Sequence, residues 1–123
     1  MTKAFDDLQF LMGSENRLAV LSATAEEPMT RADLVEAVDS SGVTVGRILD
    51  DLLERRWIEP GSAGYEATYF GQAIAEDAAA LEQTVDISNR LWPVCEYFET
   101  DRIGFDPRYL AEARMSRGPE DSA

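Results

Sequence analysis

Arginine and hydroxyl side chains are the groups in this sequence whose types and spacing could do chemistry. A guanidinium can donate paired hydrogen bonds to a phosphate or to guanine O6 and N7, and a serine or threonine hydroxyl can donate to phosphate. The candidates are Arg31, Ser41, Thr44, Arg47, Arg55 and Arg56. Together they suit contact with a nucleic acid.

Each candidate also has a structural alternative. Arg47 could be a solvated surface charge, and Ser41 suits the cap of the helix that follows it. Arg55 and Arg56 stand where cations favour a helix C-terminus, and Arg55 could pair with Asp51 one turn earlier. We expect Thr44 and Arg47 to contact bases and Arg31 to contact phosphate. Further phosphate contacts could come from Ser41, Arg55 and Arg56.

Residues typical of enzymes are scarce. The 123 residues include no histidine and one cysteine, so the commonest general acid–base and a Cys/His zinc site are missing. Acidic pairs such as Asp50–Asp51 are adjacent, and adjacent side chains on a helix do not face one substrate. We find no glycine-rich phosphate loop or nucleophile motif. We expect a protein that is not an enzyme and uses no metal or cofactor.

Helical periodicity and capping residues predict four short helices followed by a β-hairpin. The helices cover residues 1–13, residues 15–25 after Ser14, a segment opened by Thr30, and residues 42–56 after Ser41. The clearest apolar face belongs to the fourth helix and comprises Val45, Ile48, Leu49 and Leu52. The β-prone segments 57–59 and 65–68 flank a turn at 60–64.

A long helix is predicted from Tyr69 to Trp92, with Pro93 ending or kinking it. Its heptad-like apolar seam predicts a dimer interface, although the same seam could pack within one chain. The interface candidates are Ile74, Ala78, Leu81, Val85 and Trp92. The pair Asp106-Pro107 predicts a last short helix, and residues 116–123 a flexible tail.

This order of elements predicts a mainly α fold with a small β-hairpin, a winged helix-turn-helix with a long C-terminal dimerisation helix. The expected domains are 1–68 (winged helix-turn-helix) and 69–115 (helical dimerisation region). In such a fold the second helix of the pair enters the major groove of double-stranded DNA. A homodimer formed through the seam would place two such helices about a two-fold axis, so we expect a palindromic promoter site. A winged helix used for protein–protein contact is the main alternative. A repressor with an effector pocket between the long helix and the core is another; its effector is unknown.

Two segments, Ser14–Leu18 and Thr44–Leu52, resemble the N-terminal DNA-binding module of archaeal transcriptional regulators related to the methanogenesis-regulator group, common in halophilic archaea. The resemblance extends over about residues 5–110. It implies glycine where Asp39 stands, an apolar residue at Ser40 and a long polar or basic residue at Gly42. It also implies a larger C-terminal effector domain, and this sequence stops near where that domain would begin.

The overall charge opposes DNA binding. Twenty-four acids against eleven bases give a net charge of −13, and Lys3 is the one lysine. An acidic, lysine-poor composition is typical of proteins from salt-loving organisms, and molar salt shortens the screening length to roughly 3 Å. Six acids and no base lie between Trp57 and Asn89, so we expect the long helix to point away from DNA. Without a membrane-length apolar run or a signal peptide, we expect a cytoplasmic protein.

Overall fold

The computed structural model describes the backbone of residues 2–98 and the side chains of residues 2–92. The elements are α1 (Lys3–Met12), α2 (Glu15–Glu26), α3 (Arg31–Ala37), α4 (Gly42–Glu54), β1 (Ile58–Gly61), β2 (Gly64–Ala67) and α5 (Tyr69–Phe98). This order confirms the predicted mainly helical class with one hairpin and a long C-terminal helix. The predicted short helix at Asp106-Pro107 and the tail at 116–123 lie outside the described residues.

Hydroxyl side chains begin each of the first four helices. The side-chain oxygens of the four cap residues accept hydrogen bonds from backbone N–H groups three residues later; the caps are Thr2, Ser14, Thr30 and Ser41. Each such cap contributes about 1 kcal/mol to stability. At α3 the Thr30 N–H also donates to Asp33 Oδ2 at 3.0 Å, which completes a capping box. Two hydrogen bonds to the Asp33 carboxylate lower its pKa: the larger effect comes from the Thr30 N–H and the smaller from the Thr30 hydroxyl.

The apolar face of α4 is the centre of the core. All four of its predicted core residues are buried, together with apolar side chains from the other helices and the hairpin. The other members of the core cluster are Leu11, Val20, Leu21, Leu34, Ile58, Ala75 and Ala78. The first compact unit spans Met1–Ala78, so it includes the start of α5, and a second unit begins at Ala79.

The hairpin has a tighter turn than predicted. The first strand continues through Pro60 to Gly61 and the second begins at Gly64, which pairs with Gly61, so two residues remain in the turn. Proline is tolerated because each strand of a two-stranded sheet is an edge. Gly64 has a φ of 131°, and a Cβ there would collide with the backbone of Met29. Met29 forms an antiparallel bridge with Tyr65 through N···O distances of 2.7 and 2.9 Å, so the hairpin is tied to the start of α3.

Helix α5 continues past Pro93 to Phe98, so Pro93 does not end it. A proline removes one backbone hydrogen bond and hinders the preceding turn, but the helix resumes when the flanking residues favour it. Among residues 2–98, no helix is long and apolar enough to cross a lipid bilayer.

Candidate nucleic-acid interface

The turn between α3 and α4 depends on a left-handed residue. Asp39 has a φ of 49°, and the Ser40 N–H donates to the Val35 carbonyl across it. A helix commonly ends on such a residue, and glycine is preferred there because it has no Cβ. A glycine at this position, which the resemblance implies, would adopt this backbone conformation without steric cost.

The N-terminal end of α4 is exposed and free of acids. Val43, Thr44 and Arg47 are all exposed, and residues 40–49 contain no aspartate or glutamate. Within residues 2–92, the Arg47 guanidinium makes no hydrogen bond or ion pair. The positive end of the helix dipole lies at this same end of α4 and adds to the positive potential around Arg47. This end of α4 is therefore a local exception in an acidic chain.

Arg31 connects α3 to this end of α4. Its Nη2 donates to the Gly42 carbonyl at 2.8 Å, and the guanidinium lies so close to Gly46 that a Cβ there would overlap it. Arg31 nevertheless stays exposed, so it can serve as a brace and still reach a phosphate. The role of Gly46 was missed in the sequence. A glycine inside an otherwise strong helical period was the available signal.

Ser41 and Thr44 are hydrogen-bonded to each other. Ser41 Oγ accepts from the Thr44 N–H at 3.1 Å and donates to Thr44 Oγ1 at 3.0 Å. Ser41 is thus the helix cap that the sequence offered as its alternative role. Thr44 accepts in this pair, which leaves its own hydroxyl hydrogen available to a phosphate or base.

Arg55, near the opposite end of α4, is held within its own chain. Its Nε donates to Asp7 Oδ1 at 3.0 Å, its Nη1 donates to the Asp51 carbonyl at 3.0 Å, and its guanidinium lies 3.8 Å from the centre of the Phe10 ring. Asp7 and Phe10 both lie on α1, so Arg55 fastens α1 to α4. No sequence spacing could have shown this, because Asp7 and Arg55 are 48 residues apart.

Arg56 is exposed and has a φ of 60°. The Arg56 N–H donates to Leu53 O and the Trp57 N–H to Leu52 O, the pattern of a Schellman motif in which glycine is usual. The Arg56 carbonyl accepts from Thr68 Oγ1 at 2.8 Å, which connects the end of α4 to the start of α5. The backbone of Arg56 is therefore constrained while its side chain is in solvent.

The hairpin has no basic side chain. Glu59 on β1 is directly opposite Glu66 on β2, and cross-strand like charges are unfavourable. Any approach of this hairpin to DNA would be through its backbone, in agreement with the absence of bases from the predicted turn. Within the described residues there is also no cluster of His, Cys, Asp and Glu that could hold a metal ion.

The predicted dimer residues fall into two groups. Ala78 is buried in the core of its own chain, and Ile74 is half-buried against that core. Leu81, Val85 and Trp92 are 58, 51 and 62% exposed. The N-terminal helix α1 also presents exposed apolar side chains, namely Phe5, Leu8 and Met12.

Three solved structures share this fold at low sequence identity. ZitR from Lactococcus lactis, solved as a point mutant, is 18% identical with a TM-score of 0.55, covering 85% of this chain and 75% of its own. MepR from S. aureus, solved as a DNA complex, is 16% identical with a TM-score of 0.54, covering 80% and 88%. The adhesin competence repressor from Streptococcus pyogenes is 18% identical with a TM-score of 0.51, covering 94% and 97%. The chain therefore shares the winged-helix fold of these three proteins.

Sequence comparison is more specific than these structural similarities. No curated protein sequence matches the chain. A family model described as the HVO_A0261 N-terminal domain matches residues 5–90, which include every element from α2 to β2 and most of α1. This chain belongs to the HVO_A0261 N-terminal domain family.

Proposed function

We propose that this protein is a transcriptional regulator, not an enzyme, that binds a specific double-stranded DNA site as a homodimer in the cytoplasm. The observation that carries the proposal is the acid-free N-terminal end of α4, where Thr44 and Arg47 are exposed and Arg31 lies alongside. The archaeal origin and the relation to the methanogenesis-regulator group are part of this proposal.

The geometry supports insertion of α4 by its N-terminal end. The first residues of a recognition helix contact base edges, and a guanidinium matches guanine O6 and N7. In this arrangement Thr44 and Arg47 contact bases, and Arg31 and Arg56 contact phosphates, whereas the Ser41 hydroxyl already donates to Thr44. We leave Arg55 out of the contact set because Asp7, Asp51 and Phe10 already engage it. MepR, which shares the fold, is solved as a DNA complex.

The net charge of −13 is compatible with this function if the protein works in concentrated salt. At molar ionic strength the screening length is roughly 3 Å, so acids elsewhere on the surface scarcely repel phosphates. The contacts that remain are those at van der Waals or hydrogen-bonding distance. Those are the contacts that an acid-free helix end can provide.

Dimerisation is proposed through the exposed apolar residues of α5, namely Leu81, Val85 and Trp92. An isologous contact would relate two copies of α4 by a two-fold axis and match a palindromic site whose half-sites are roughly 34–36 Å apart. Ala78, being buried in its own chain, contributes little to that contact.

The test of DNA binding begins with selection of a preferred duplex from random sequences in molar potassium chloride, followed by fluorescence-anisotropy titration. Arg47→Ala is expected to weaken binding about tenfold or more and to relax preference at one base pair per half-site. Arg90→Ala is the matched control, because it also removes one arginine but lies on α5, beside Asp86. Equal binding by wild type and Arg47→Ala would overturn the assignment of this face.

Light scattering at high salt tests the dimer. Val85→Glu places a charge in the proposed contact and is expected to give a monomer, whereas Gln83→Glu adds the same charge and should leave the dimer intact. A wild-type protein that is monomeric at micromolar concentration would contradict the proposal.

A second candidate is a winged helix that binds another protein. The acidic pair Glu59–Glu66 favours it, as do the adjacent aromatic residues Tyr69 and Phe70, which are 92 and 78% exposed. Failure to select any duplex in either dilute or molar salt would favour this candidate over DNA binding.

A further inference from the structure

Val43 is an apolar side chain that the core does not explain. It is 66% exposed, and between residues 13 and 68 it is the one large aliphatic or aromatic side chain that stands mainly in solvent. Its neighbour Gly42 has no atom within 4 Å of where a Cβ would be, so the space beside Val43 is open. Val43 is therefore an exposed apolar side chain with open space beside it at the start of α4.

Val43 shares a helix face with Arg47. Side chains four residues apart on a helix are neighbours, at about 5–6 Å between Cβ atoms. That distance corresponds to one or two base steps along DNA, so both side chains could contact adjacent base pairs if α4 enters the major groove by its N-terminal end.

An isopropyl group can offer DNA only an apolar contact. In the major groove the matching apolar group is the 5-methyl of a pyrimidine, present on thymine and on 5-methylcytosine but absent from uracil and cytosine. We propose that Val43 is a specificity-determining residue that contacts a pyrimidine 5-methyl group within one or two base pairs of the guanine contacted by Arg47. This inference rests on the proposed DNA-binding function.

Replacement of single thymines by uracil in the selected duplex tests the contact, because it removes one methyl group and leaves base pairing unchanged. Burial of one methyl corresponds to about a fourfold change in affinity. Wild type is expected to lose about fourfold at one thymine per half-site, and Val43→Ala to bind the thymine and uracil duplexes equally. Val43→Ala should fold normally, since Val43 is exposed and alanine favours helices.

A second arm replaces single cytosines by 5-methylcytosine and distinguishes the two sources of the methyl group. A gain of about fourfold that requires Val43 would identify methylcytosine as the base, and a loss confined to uracil would identify thymine. Insensitivity of wild type to every methyl change, or equal sensitivity in Val43→Ala, would overturn the inference. Either result would leave the proposed function standing, which fails only if the protein binds no duplex at all.

Discussion

The two ends of α4 use arginine in different ways. Near the C-terminal end, Arg55 contacts Asp7, Asp51 and Phe10, whereas Arg47, nearer the N-terminal end, makes no hydrogen bond or ion pair within residues 2–92. The difference follows from what surrounds each guanidinium: Asp7 and Phe10 of α1 and the Asp51 carbonyl contact Arg55, and within residues 2–92 no such partner holds Arg47. Contacts within the chain therefore occupy Arg55 and leave Arg47 available to phosphate.

The comparison predicts its largest effect at the C-terminal end. Arg55→Ala removes an ion pair, a backbone hydrogen bond and a cation–π contact that are part-buried, and should lower the free energy of unfolding by about 2 kcal/mol. Thermal or denaturant unfolding measures this, and Arg47→Ala serves as the control because its side chain is exposed. A double-mutant cycle with Asp7→Asn isolates the ion pair.

Equal stability of the Arg55→Ala and Arg47→Ala proteins would contradict the prediction that Arg55 stabilises the fold and Arg47 does not. Conversely, a folded Arg55→Ala protein that loses as much DNA affinity as Arg47→Ala would return Arg55 to the DNA-contacting set.

Gly42→Arg sharpens the comparison at the N-terminal end. A Cβ at this position has open space around it, and the resembled family favours a long polar or basic residue there. One added phosphate contact should strengthen DNA binding about five- to tenfold. Gly42→Ala controls for the backbone change and Gly42→Glu for the charge. Titration of the selected duplex would contradict the proposal if the arginine, alanine and glutamate variants bound alike.

Much of the fold could be predicted because its determinants are local. The hydroxyls of Ser14, Thr30 and Ser41 marked helix starts, and the period of α4 marked its buried face. The structure departs from the sequence-based expectation at two places: strand pairing shortens the hairpin turn, and α5 extends past Trp92 through Pro93.

The candidate site was less predictable than the fold. Which arginine remains available depends on contacts that spacing does not show, such as Asp7 with Arg55 and Arg31 with Gly42. The outward position of Val43 did follow from the helix period. It was overlooked because an apolar residue next to an apolar face suggests core.

The smallest expected effects belong to the two non-glycine residues with left-handed backbones. Arg56→Gly and Asp39→Gly should each stabilise the protein by about 1 kcal/mol, because glycine adopts positive φ without steric cost. Thermal unfolding should show a rise of about 4 °C or more for each variant. The two substitutions are therefore matched in their effect on stability, while their charge changes are opposite.

DNA titration then separates the two positions. If the Arg56 side chain contacts phosphate, Arg56→Gly should weaken DNA binding about threefold or more in dilute salt. The slope of log affinity against log salt concentration should also become shallower by about 1. Asp39→Gly, which removes an acid beside the start of α4, should strengthen binding slightly. Unchanged affinity in a more stable Arg56→Gly protein would show that Arg56 does not contact DNA. The part of α4 that contacts DNA would then be its N-terminal end alone.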